Sequence, residues 1–177
     1  VSKMPANFYS ISPSNEEQVS ALASFTKSHF KNKKIRPIVE LDCKYCVDFA
    51  DTFAKHASSS RLDLTQGRGE YLESNVETID IAKLIGDQKG KPIFLLPNRS
   101  YTSGTLMGRI SNHLKRDGVT FLGGDGWGDW SAGYTGKFKS IYKYKAYRLA
   151  PWNLQKKDKE TTRFRKDFEK LHGAPPS

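Results

Sequence analysis

The sequence predicts an α/β protein of three layers, in which a mostly parallel sheet carries helices on both faces. Short apolar strands alternate with amphipathic helical segments several times along the 177 residues, the pattern of βαβ units. The run Pro92-Ile93-Phe94-Leu95-Leu96 is apolar throughout, as strands covered on both faces are. With 37% hydrophobic and 27% charged residues, a chain of this length buries a real core and forms one main domain.

Taken in order, Ser14-Asn15-Glu16-Glu17 opens the first helix as a capping box, in which a hydroxyl and a carboxylate satisfy orphan amides. Val19, Leu22, Ala23, Thr26 and Phe30 follow at helical spacing and form its core-facing stripe. Residues 34–41 read as a strand, although Pro37 removes a ladder donor from its middle. Asp42 is placed to cap a helix over 43–58, whose stripe is Cys46, Phe49, Ala50, Phe53 and Ala57. The polar stretch 58–75 predicts at most a short strand around Arg61–Leu64, and a helix near 77–87 carries Ile81, Ala82, Leu84 and Ile85 before Gly90 ends the segment. The strand at 92–96 leads to a helix over 102–116, with Leu106, Met107, Ile110 and Leu114 on one face and Gly118 as its stop. Val119–Leu122 is the next strand and runs straight into a glycine-rich segment, 123–128. Tyr142–Leu149 is patterned as a strand of period two, and 157–172 as a charged helix with Phe164, Phe168 and Leu171 facing inward. Ala150-Pro151-Trp152-Asn153 reads as a hinge dividing the chain into 1–149 and 150–177.

Lys and Arg number 29 against 19 Asp and Glu, a net charge of +10. The basic residues are scattered: Lys31, Lys33 and Lys34 end one helix, Lys143 and Lys145 alternate along a strand, and 156–170 mixes both signs. Solvated faces look like this, and no nucleic-acid partner is expected. Without an apolar run of about 18 residues, no segment inserts into a bilayer. The start, Val1-Ser2-Lys3-Met4-Pro5, and the close, Gly173-Ala174-Pro175-Pro176-Ser177, read as cuts through a longer protein.

Cys43 and Cys46 are the only cysteines. Their Cys-x-x-Cys spacing at a helix start fits a thiol redox pair, but two helical thiols one turn apart, one of them facing the core, is the reading preferred. A zinc site would need a second Cys/His pair at ligand spacing, and His29, His56, His113 and His172 stand isolated. Neither metal nor cofactor is expected.

Ligands of open α/β sheets bind beyond the carboxyl ends of the strands. Three loops leave such ends: Asp42–Tyr45, Asn98–Thr102 and Gly123–Trp127. Together they bring a carboxylate, Asp125, the phenols of Tyr45 and Tyr101, the hydroxyls of Ser100, Thr102 and Ser103, and the indole of Trp127. The glycine spacing G-G-x-G-x-G is not a dinucleotide fingerprint, and an acidic residue among the glycines opposes phosphate. A carboxylate beside aromatic rings suits a ligand's ammonium. With no nucleophile elbow, no H-E-x-x-H helix and no paired carboxylates on neighbouring loops, an enzyme is not expected.

These loops, in this order, resemble the type I periplasmic solute-binding proteins of the branched-chain amino acid (leucine/isoleucine/valine) family. Ser12-Pro13-Ser14-Asn15 is similar to the segment that follows that family's first hinge crossing, Asp42-Cys43-Lys44-Tyr45-Cys46 to its aspartate-to-tyrosine-glycine turn, and Asn98-Arg99-Ser100-Tyr101 to its tyrosine-bearing loop. Leu122-Gly123-Gly124-Asp125-Gly126-Trp127 resembles its most recognisable stretch, and Phe164 to Pro176 its helix ending in a glycine and prolines. The resemblance implies that 1–149 is the second ligand-binding lobe and that 150–177 returns to a first lobe. It implies a periplasmic or extracytoplasmic protein that binds an amino acid and delivers it to an ABC permease, or a ligand-sensing domain built on the same module. By that resemblance Asp125 would accept the ligand's ammonium, and Tyr45 and Tyr101 would cover the ligand; Ser100, Thr102 and Trp127, read from the same loops, complete the expected ligand-binding set. In such proteins the first lobe holds the ligand's carboxylate, so this chain would supply half of a cleft. Cys46 stands where the family has glycine, which either reshapes the pocket or permits a Cys43–Cys46 disulfide. A thiol oxidoreductase and a nucleic-acid-binding module are the rival functions.

Overall fold

The computed structural model describes residues 13–65, 67–127, 140–150 and 158–174. Ser12, Gly128 and the hinge expected at 150–153, apart from Ala150, fall outside them. The strands are β1 (Lys34–Glu40), β2 (Asp63–Leu64), β3 (Gly69–Tyr71), β4 (Ile93–Leu95), β5 (Val119–Gly123) and β6 (Tyr144–Arg148). The helices are α1 (Asn15–His29), α2 (Lys44–Ser60), α3 (Ile81–Ile85), α4 (Ser100–Leu114) and α5 (Lys159–His172), with 3₁₀ turns at Glu73–Asn75 and Asp125–Trp127.

Among the described residues all strand pairs are parallel, in the order β2-β1-β4-β5-β6, with β3 also on β1. Strand residues alternate between two cores. Ile35, Ile93, Leu95 and Leu122 meet Val19 and Leu22 of α1 and Phe49, Phe53 and Ala57 of α2. On the other face Ile38, Phe94, Phe121 and Val119 meet Ile81, Leu84 and Ile85 of α3 and Leu106, Met107 and Ile110 of α4. The three-layer parallel fold expected from the sequence is therefore the fold observed.

Pro37 lies in an interior strand, and the ladder shows why it is tolerated. The Ile35 carbonyl accepts from the Thr65 amide on the β2 side, 3.0 Å, and alternation turns Pro37 to that same side. There β2 has ended at the partner of Ile35 and β3 starts at the partner of Ile38, so the missing N–H falls in a gap.

At the start of α1 the capping box forms: Ser14 Oγ accepts from the Glu17 amide at 3.3 Å and Glu17 Oε2 accepts from the Ser14 amide at 2.8 Å. Ser14→Ala should cost about 1 kcal/mol, a fall in Tm of about 2–4 °C in a thermal unfolding scan.

Several boundaries differ from the sequence reading. Cys43, not Asp42, caps α2: its sulfur accepts from the Cys46 amide, while the Asp42 carboxylate accepts from the Glu73 amide. The helix expected near 77–87 shrinks to α3, stopped at Gly86 in the left-handed region (φ 62°), and Ala82 faces solvent. α4 starts at Ser100 rather than 102 and is closed by Lys115 in the left-handed region, not by Gly118. β3 lies within the polar stretch 58–75, beyond the short strand that stretch predicts. α5 forms, but none of its residues is buried: Phe164 and Leu171 are exposed, and its rings contact one another along Phe164, Phe168 and His172.

Candidate functional site

The chain leaves β1 for α2 on one face and β4 for α4 on the other, and β1 and β4 are neighbours. The carboxyl ends of these strands form the crevice at which open α/β sheets bind ligands.

From β5 the chain turns through the 3₁₀ segment at 125–127, which leaves Asp125 partly exposed at the tip. Tyr45, in the first turn of α2, donates from its hydroxyl to Asp125 Oδ1 at 2.9 Å. The Asp125 amide donates to Gln18 Oε1 of α1 at 3.3 Å. Ser100, at the start of α4, donates to the Gly126 carbonyl at 3.2 Å. A cavity of about 110 Å³ adjoins Asp125, lined also by Pro13, Glu17, Gln18, Ala21, Leu149 and Ala150.

Of the residues singled out from the sequence, Asp125, Tyr45 and Ser100 thus come together through direct bonds or their immediate neighbours. Tyr101 turns its hydroxyl to Glu77. Thr102 and Trp127 lie beneath the rim rather than on it. Thr102 is fully buried and donates to Glu40 Oε2 at 2.6 Å. Trp127 packs into the α3/α4 core, its Nε1 donating to the Leu96 carbonyl at 2.8 Å.

Sequence reasoning missed Glu40, which ends β1 with no solvent exposure. Such a carboxylate is costly unless paired. Besides Thr102, Tyr71 donates to Oε2 at 3.3 Å, and Arg99 Nε lies 3.1 Å from Oε1 without the alignment of a hydrogen bond. Arg99 also pairs with Glu73 and reaches the Asp42 carbonyl at 3.2 Å. One signal was available: a charged residue at the carboxyl end of an apolar parallel strand occupies a site position.

Cys43 and Cys46 form a disulfide. A Glu40 carboxylate oxygen lies within 4.8 Å of both sulfurs, but the sulfurs are spent on each other, so this trio offers no metal site in the oxidised state.

Burial, and then the adjacent Asp125 carboxylate, push the Tyr45 phenol well above its usual range, and burial does the same to Tyr71. Unfolded phenols ionise near pH 10, so above that pH the unfolded chain binds fewer protons than the folded one and stability falls as pH rises. Both phenols should stay protonated in the native protein at about pH 11 and titrate once it is denatured, as tyrosinate absorbance would record. Full ionisation of all tyrosines in the native state at that pH would contradict this geometry.

No protein-family model matches the sequence, and no curated protein matches it. Among solved structures, a leucine binding protein, LivK, from Thermotoga maritima superposes with a TM-score of 0.60 at 13% identity, over 94% of this chain and 45% of that one. This chain thus spans less than half the length of that protein. At such identity the likeness establishes the fold: the open parallel α/β fold of the leucine binding protein. A hypoxanthine-guanine-xanthine phosphoribosyltransferase aligns over 76% of this chain and 74% of its own at 13% identity, with a TM-score of only 0.40, too low to carry a structural argument.

Proposed function

We propose that this chain is one lobe of a non-catalytic, extracytoplasmic solute-binding protein that takes an amino acid at the carboxyl ends of β1, β4 and β5. The observation that carries the reading is Asp125, a partly exposed carboxylate just beyond the carboxyl end of β5, fixed by Tyr45 from the β1 side and bordering a cavity. Asp125 accepts the ligand's ammonium, Tyr45 holds the carboxylate in place, and Ser100 borders the ligand, while Tyr101 is turned away to Glu77. Thr102 and Trp127 support the rim from below.

The local charge supports a cationic group. Although the chain carries +10 overall, the rim gathers Asp42, Glu73, Glu77 and Asp125, and of its cations Arg99 is engaged by Glu40 and Glu73 and Lys44 by Asp48. The cavity beside Asp125, about 110 Å³ and otherwise lined by the start of α1 and by Leu149 and Ala150, is well short of the roughly 300 Å³ at which ligand pockets begin. Closure of a second lobe would complete it. A disulfide at Cys43–Cys46 fits an oxidising compartment. Delivery to an ABC permease is the proposed role, and a sensor domain is the alternative.

The test is calorimetric titration of the intact protein with the common amino acids, beginning with leucine, isoleucine and valine. Saturable one-site binding of at least one is expected, and no binding of any would remove the reading.

A further inference from the structure

We propose that the Cys43–Cys46 disulfide is a reducible lock on the candidate ligand site, so that a dithiol reductant weakens ligand binding by loosening the turn that aims Tyr45 at Asp125. The effect on affinity rests on the amino acid reading above; the effect on Tyr45 does not.

The placement of the bridge sets its role. It closes a loop of sequence separation 3, the size that removes least entropy from the unfolded chain, and both its ends lie in one helical turn. Global stapling is a poor account of such a bond. Locally it acts on a specific residue. Tyr45 stands between the bridged cysteines and reaches across to Asp125 Oδ1 at 2.9 Å. Its ring sits in a seat that Gly124 leaves open and that Gly126 borders closely. A Cβ on Gly124 would stand 2.2 Å from the Tyr45 hydroxyl, and one on Gly126 would stand 3.2 Å from its Cε1. A small rotation of the first turn of α2 therefore unseats the phenol and frees Asp125 from it.

The surroundings also give the exchange a direction. Cys46 is wholly buried, whereas Cys43 keeps 6% of its surface at the N-cap of α2, where its sulfur accepts from the Cys46 amide at 3.2 Å. A thiolate of the reductant attacks Cys43 Sγ, and the Cys43–Cys46 bond breaks with its electron pair passing to Cys46 Sγ, which takes up a proton. The reductant's second thiolate then attacks its own sulfur in the mixed disulfide. Cys43 Sγ leaves as a thiolate, favoured by the amides and dipole of the helix start, and is protonated from solvent. Two electrons and two protons enter the protein, and the reductant becomes a disulfide. Because Cys43 can still cap the helix as a thiol, α2 survives reduction.

The test is performed on the intact protein with carbon-labelled tyrosine, poised in a series of dithiol/disulfide buffers. Free thiols are counted by alkylation and mass, the fold is followed by circular dichroism, and the Tyr45 ring signals by NMR. Reduction of the native fold should move the Tyr45 signals and weaken binding of L-leucine, or of whichever amino acid binds, by about five- to tenfold, an ordinary coupling between sites. A Cys43→Ser/Cys46→Ser double variant should show the weakened state with no response to reductant. Resistance of the bridge until the protein unfolds, or reduction that leaves the Tyr45 signals in place, would overturn the proposal. If no amino acid binds in either state, the proposed function fails, and the Tyr45 signals still decide whether the lock exists.

Discussion

Replacing Asp125 with alanine should weaken binding of an amino acid by the intact protein at least about 30-fold, since leaving one member of a buried charge pair without its partner costs about 2–5 kcal/mol. The loss has two sources. The ligand ammonium gives up its counter-charge on entering a closed cleft, and the Tyr45 hydroxyl, now without Oδ1, presents a donor to an ammonium that is itself only a donor. Asp125→Asn separates them, because an amide oxygen can still accept from Tyr45 while the charge is gone. It should therefore recover part of the loss. The fold should be unaffected in both, because Asp125 is partly exposed and bonds to the rest of the chain chiefly through its amide and Tyr45. Calorimetry beside a thermal scan would show this, and unchanged affinity in the alanine variant would take Asp125 out of the site.

Gly123→Ala should have the largest effect on stability. A Cβ at this position would stand 2.0, 2.3 and 2.5 Å from Trp127 Cε2, Cζ2 and Nε1. The indole cannot simply step aside. It is 1% exposed, packed into the α3/α4 core, and tied through Nε1 to the Leu96 carbonyl. Either the ring leaves its seat and strands that carbonyl, or β5 shifts against β4. Overpacking of this kind costs about 3 kcal/mol, a fall in Tm of roughly 6–12 °C for a domain of this size. Gly126→Ala, exposed and with its nearest contact at 3.2 Å, should cost far less. Equal melting temperatures for the two variants would show that the glycines are not there for close packing. The contrast bears on function: Gly123 admits a supporting ring, and need not cradle a phosphate.

Much of this could be read from the sequence, and the exceptions have physical causes. The α2 stripe of Cys46, Phe49, Ala50, Phe53 and Ala57 is buried in full, because helical period and burial coincide where one face packs on α1 and the sheet. Gly69-Glu70-Tyr71 is too short to display a period, and β3 exists because β1 offers it an edge. The environment of Glu40 depends on partners 31 and 62 residues away, Tyr71 and Thr102, which no local pattern reveals. At the site, convergence of the loops after β1, β4 and β5 follows from topology, and with it the meeting of Tyr45 and Asp125. The inward turn of Thr102 and Trp127 does not, since it is set by the start of α4 at Ser100 and by the 3₁₀ turn at 125–127. The stripe of α5 has the helical spacing of a core face, yet it packs on nothing among the described residues that buries it.

The central claim, that Asp125 receives a ligand ammonium, is tested most directly by a thermodynamic cycle on the intact protein. The amino acid that binds and its N-acetyl derivative would each be titrated into the wild type and into Asp125→Ala. The two changes remove opposite ends of one interaction, so the account predicts that acetylation weakens binding to the wild type strongly and to the variant hardly at all. Losses that add independently, or an acetylated ligand that binds the wild type as well as the free amino acid does, would contradict it.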